Sequence, residues 1–128
     1  MWKRAAFVCV AVAMSAFAQE GHPLTGTFTG DWGPARGPRN HITLVMNWDG
    51  TKVAGVINPG PNSAPLNVFV DYTNWTVRLD ADTKDDAGKP VRIEADAKLE
   101  AMGSPRRSLV GTWRQGGITG DFKVTREQ

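Results

Sequence analysis

Two histidines, a few acidic pairs and five tryptophans are the residues of this sequence with the most chemistry to offer. His22 and His41 stand on either side of Asp31. Two imidazoles and a carboxylate are a donor set that zinc accepts. Neither histidine has a partner at ligand spacing, and two solvated histidines near strand ends account for both, so no metal site is assigned. Glu94 and Asp96 lie two apart, hence on one face of a strand, where paired carboxylates can divide acid and base roles. Arg92 and Lys98 share that face, however, and alternating charge on an outer strand face forms a solvated ion-pair ladder. Asp82, Asp85 and Asp86 offer oxygen ligands to calcium without the loop spacing of an EF-hand. Nucleophilic catalysis lacks its parts: no Gly-x-Ser-x-Gly elbow occurs, Ser63 and Ser104 fall in loops, and Ser108 opens a strand. We therefore expect no catalytic residue and no cofactor, and do not expect an enzyme.

The aromatic set is different. Trp32, Trp48, Trp75 and Trp113 each sit near the end of an alternating run, beside a loop, on the apolar side of the alternation. In a small barrel such residues gather at the rims, where they can hold one small apolar or aromatic ligand. These four are the candidate ligand-binding residues. The alternative is a packed interior plugged at both ends by the same rings, and it fits a barrel of this size better.

The elements that must position them follow from a period-two pattern that starts at Leu24. Alternating runs cover Leu24 to Trp32, His41 to Trp48, Lys52 to Asn58, Leu66 to Val70, Trp75 to Ala81, Val91 to Leu99, Ser108 to Arg114 and Ile118 to Thr125. Asp49-Gly50 predicts a two-residue turn that pairs Met46 with Val53, Leu44 with Gly55 and Ile42 with Ile57. A loop over Asp71 to Asn74 pairs Val70 with Trp75, Val68 with Val77 and Leu66 with Leu79. A turn at Gly116-Gly117 sets Trp113 opposite Gly120 and Gly111 opposite Phe122, with an indole covering the cross-strand glycine. Gly120→Val should then be far more harmful than the same change at Gly88. Val45 opposite Ala54, with Val56 beside them, forms an external apolar patch suited to a subunit contact.

Eight short strands joined as successive hairpins predict an all-β, up-and-down antiparallel barrel, because closure removes both sheet edges. A β-sandwich is the runner-up. Lys3-Arg4, the apolar run Ala5 to Ala18 and the small-residue ending Ala16-Phe17-Ala18 read as a secretory signal peptide, too short to span a bilayer. The organisation is thus a signal over 1–18 and one barrel domain over 19–128. Losing Lys3 and Arg4 brings the 15 basic residues level with the 13 acidic ones, which removes the charge argument for nucleic acid. Cys9, the one cysteine, leaves with the same segment, so the core must stabilise the domain without disulfides.

The segment Gly111-Thr112-Trp113-Arg114-Gln115-Gly116-Gly117 resembles the final hairpin of small secreted bacterial β-proteins of unassigned function. A similar hairpin ends the β-rich module before some bacterial α/β-hydrolase domains. Asn58-Pro59-Gly60-Pro61-Asn62 and Trp75-Thr76-Val77-Arg78-Leu79 are similar to the standalone group as well. Leu24-Thr25-Gly26-Thr27-Phe28 resembles the Gly-x-Trp first strand of lipocalin and avidin barrels, with Phe28 in the tryptophan's place. The resemblance implies a barrel of the bacterial envelope, periplasmic or secreted, and carries no catalytic residue. The expectation is an exported binding module holding a small apolar ligand. The alternative is a structural or protein-interaction module that docks an envelope protein, with no membrane span after cleavage.

Overall fold

The alternation resolves into eight strands: β1 (Gly26–Gly33), β2 (Asn40–Trp48), β3 (Val53–Ile57), β4 (Ala64–Asp71), β5 (Thr76–Lys84), β6 (Pro90–Glu100), β7 (Ser108–Gln115) and β8 (Ile118–Arg126). Each pairs antiparallel with the next, and β8 closes on β1, so the sheet is an up-and-down barrel rather than a sandwich. The computed structural model describes residues 22–60, 63–85 and 87–127. The signal segment read over 1–18, and Asp86 of the acidic stretch, lie outside these residues. No helix among the described residues is long and apolar enough to cross a membrane.

The last hairpin has the register expected from its turn, with Trp113 opposite Gly120 and Gly111 opposite Phe122. Gly116 and Gly117 both take positive φ, 59° and 80°, as a type I′ turn demands. The Asp49-Gly50 hairpin differs from expectation. Trp48 pairs with Val53, Met46 with Gly55 and Leu44 with Ile57, two residues out of the predicted register. Gly50 has positive φ but Asp49 does not, so a type I′ turn cannot form there. Instead Asp49 Oδ1 accepts from the amides of Thr51 (2.8 Å) and Lys52 (2.9 Å), which closes a longer loop. Those two amides also hold the Asp49 carboxyl below its ordinary range. The β4–β5 hairpin is likewise two residues out, with Val70 opposite Val77 and Val68 opposite Leu79. Trp75 leaves the strand for the turn, at φ 55°. A two-residue shift returns every side chain to the same face, so inside and outside remain as predicted.

The interior is filled. Leu24, Phe28, Leu44, Leu79, Ala81, Ala95, Leu109, Trp113 and Val124 are all 0% exposed, which leaves no water-sized gap beside them. The outside is divided. On β1 to β4 the central outward positions are Thr27, Thr29, Thr43, Val45, Ala54, Val56, Asn67 and Phe69, all uncharged. The predicted external patch is present with altered pairing, since Val45 faces Val56 and Val56 faces Pro65. On β5 to β7 the outward rows are dense in charge, with Arg78, Asp80, Asp82, Arg92, Glu94, Asp96, Lys98 and Arg114. Apolar inside with charge outside reverses the arrangement of a membrane barrel.

Candidate functional site

The four candidate tryptophans come together as two pairs at opposite ends of the barrel. At one end Trp32 from β1 stacks on Trp113 from β7, with ring centroids 5.9 Å apart and planes 26° apart. Phe122 meets Trp113 edge-on at 5.1 Å. Across the ladder Trp32 faces Phe122 and Trp113 faces Gly120, and both indoles lie inward. Trp32 is 5% exposed and Trp113 0%, and the Trp113 indole N–H donates to Gln115 Oε1 at 3.0 Å. Arg39 ties the β1–β2 loop down at this end, bridging Asp31 (2.8 Å) and Asp121 (2.7 Å) and donating to the Gly33 carbonyl (2.8 Å).

The other end is built from Trp48, Trp75, Tyr72 and His22. The His22 ring lies 5.1 Å from Trp48, 6.0 Å from Tyr72 and 6.3 Å from Trp75, and Tyr72 meets Trp75 edge-on at 5.1 Å. Trp48 and Trp75 are half-buried, whereas His22 is only 7% exposed. Its Nδ1 accepts from the Leu24 amide at 3.1 Å and its Nε2 lies 3.0 Å from the Tyr72 hydroxyl. An accepting Nδ1 requires the neutral imidazole. Burial pushes the His22 pKa below its ordinary value, and the positive charge of Arg107 adds to the effect. The turn from His22 to Thr25 thus enters the barrel end as a plug, with Leu24 wholly buried beneath it. Arg107 donates to the Pro23 carbonyl (2.6 Å) and Arg126 to the Thr25 carbonyl (2.9 Å), tying the plug to the wall.

Sequence reasoning placed His22 and His41 as solvated, which holds for His41 but not for His22. Tyr72 was missed because it lies in a turn, outside any alternating pattern. The signal for His22 was available two residues on: Leu24 is the first apolar residue of the first run, and burying it draws its neighbour in.

The other candidate chemistry is distributed rather than gathered. His41 and Asp31 face each other across β1 and β2, at the end opposite His22, so that trio does not assemble. Glu94 and Asp96 belong to an ion-pair network: Arg92 reaches Asp82 (3.0 Å), Asp80 (3.4 Å) and Glu94 (3.7 Å), and Arg114 reaches Asp96 (3.0 Å) and Glu94 (3.7 Å). Asp85 caps its own turn through the amides of Ala87 and Lys89, both at 2.9 Å.

A concavity lies outside the barrel, a groove of about 540 Å³ across β4 to β7. Phe69, Arg78, Asp96, Lys98 and Val110 line it from the outward positions of four neighbouring strands. Comparison with protein-family models, with curated proteins and with solved structures gives no match, so the site stands on this chain's own residues.

Proposed function

We propose that this chain is an exported, non-catalytic β-barrel module that binds through its outer surface. The observation that carries this is the filled interior: Trp32 and Trp113 have almost no surface to offer, and the core residues around them are dry. Exposed Phe69 and Val56, and the groove beside Phe69, supply the contact surface that the interior lacks. Export rests on the charged, then apolar, then small-residue order of residues 1–18. The partner is an envelope protein or a small molecule bound on the outside. A second function, capture of a small apolar or aromatic ligand, is favoured by the half-exposed rings of Trp48, Tyr72 and Trp75 at the plugged end.

Native mass spectrometry of the protein isolated from its host's envelope tests both. We expect a processed chain beginning at Gln19 that carries a partner or ligand lost in a Phe69→Ser variant and kept in Trp48→Phe. A ligand lost in Trp48→Phe and kept in Phe69→Ser would replace the outer-surface function with the rim site. An unprocessed chain recovered from the cytosol would overturn export.

A further inference from the structure

Resting on the outer-surface function, we propose that the groove across β4 to β7 is a binding site for a small amphipathic organic anion. The anionic head sits between Arg78 and Lys98, and the apolar body lies on Phe69 and Val110. The register builds this arrangement. Phe69 pairs with Arg78, Arg78 with Asp96, and Lys98 with Val110, so the two cations occupy the middle of the groove and the two apolar residues its flanks. Arg78 and Lys98 are diagonal neighbours on adjacent strands, a backbone separation of about 7–8 Å that two long side chains close onto one carboxylate, sulfonate or phosphate.

Charge pairing selects an anion. Elsewhere on this face arginines are engaged: Arg92 and Arg114 each hold a carboxylate at 3.0 Å. Within the groove Asp96 is paired with Arg114 (3.0 Å), while Asp71, at the edge, accepts from the Thr73 amide (3.0 Å) and keeps its charge. The cations are held more loosely. Arg78 makes the longest ion pair of this face, 3.8 Å to a Glu94 carboxylate that Arg92 and Arg114 share, and Lys98 has no ion-pair partner among the described residues. The loosely held cations of the groove, Arg78 and Lys98, are therefore flanked by apolar side chains. Phe69, at 57%, is the most exposed large apolar residue described. The concavity, about 540 Å³ and open to solvent, covers one face of a small molecule rather than enclosing it.

The probe is 8-anilinonaphthalene-1-sulfonate, an aromatic sulfonate, titrated into the folded full-length protein or its processed form and followed by its fluorescence. Its neutral relative N-phenyl-1-naphthylamine serves as the uncharged control. We expect saturable binding of the sulfonate that weakens about ten-fold or more in the Arg78→Gln/Lys98→Gln double variant. Phe69→Ser should weaken both dyes, the charge variant only the sulfonate, and Trp48→Phe neither. All these groove positions point outward, and thermal melts of each variant confirm that the barrel is intact. No saturable sulfonate binding by the unaltered protein would overturn the anion site and leave the outer-surface function standing. Binding lost in Trp48→Phe but kept in the groove variants would overturn both.

Discussion

The two ends of the barrel carry the same residue, a tryptophan at or next to a strand terminus, and use it in opposite ways. At the Arg39 end Trp113 faces Gly120 and Trp32 faces Phe122, and the two indoles stack on each other inside the barrel. At the His22 end Trp48 faces Val53, and Trp75 sits in the turn at φ 55°, without a glycine across from either. Those rings stay half-exposed, and the space below them is filled by Leu24 and His22 from the chain's own first described turn. What decides between core and rim is what each ring packs on, a second inward indole at one end and the His22 plug at the other, not the residue. One end is consequently closed by side chains that belong to the sheet. The other is closed by a segment held on through hydrogen bonds from Arg107 and Arg126.

Unequal roles should give unequal costs. Trp113→Ala, which removes a ring with 0% exposure, should cost about 3–5 kcal/mol in chemical denaturation. Trp75→Ala should cost about 1–2 kcal/mol, since its ring is only partly buried. Equal losses at the two positions would dissolve the distinction between the ends.

Gly120→Val comes next, at about 1–3 kcal/mol. The physical reason differs from the one expected from sequence. An added Cβ at Gly120 would fall first on the backbone carbonyl of Gly33 rather than on the Trp113 ring, and a backbone in a closed barrel cannot yield. Gly88 is a poor comparator because its φ of 80° penalises any side chain. Gly103, with open space around it and no such φ, should accept valine within about 0.5 kcal/mol.

The plugged end should also respond to mild acid. Because the His22 pKa is lowered in the folded state, the unfolded chain takes up its proton first as pH falls. The stabilisation is complete above the ordinary value of 6.5 and is lost progressively as pH drops below it. Urea midpoints measured from pH 7.5 to 5.5 should fall, and His22→Gln should flatten much of that slope. An unchanged slope in the variant would show that the plug does not sense protonation.

Arg39→Ala should have only a slight effect. Its ion pairs to Asp31 and Asp121 are exposed, so the fall in urea midpoint should be small and shrink further in high salt. A larger loss would mean that the clamp, and not the buried indoles, closes that end.

Much of the barrel was legible in residue order alone. All eight strands lie where alternation placed them, because a half-buried strand must repeat every two residues. Register was legible only where the turn had a single solution. Gly116 and Gly117 both accept positive φ and set their hairpin, whereas Asp49 found a better use for its carboxylate than a tight turn. Tyr72 to Trp75 closed their loop by packing a tryptophan into it. The candidate site was half visible. The four tryptophans were in view, but their division into two pairs depends on which strands are neighbours around the closed sheet. The groove beside Phe69 was not visible at all, since it needs outward residues from four strands to be aligned in rows.

Sequence by itself determined the alternation, the faces and the number of strands, because these follow from local backbone geometry and from apolar side chains leaving water. Tertiary structure decided which rings are core, which cations are loosely held and where the concavity lies. Those depend on register and closure, and a two-residue slip that leaves every face unchanged still changes every neighbour.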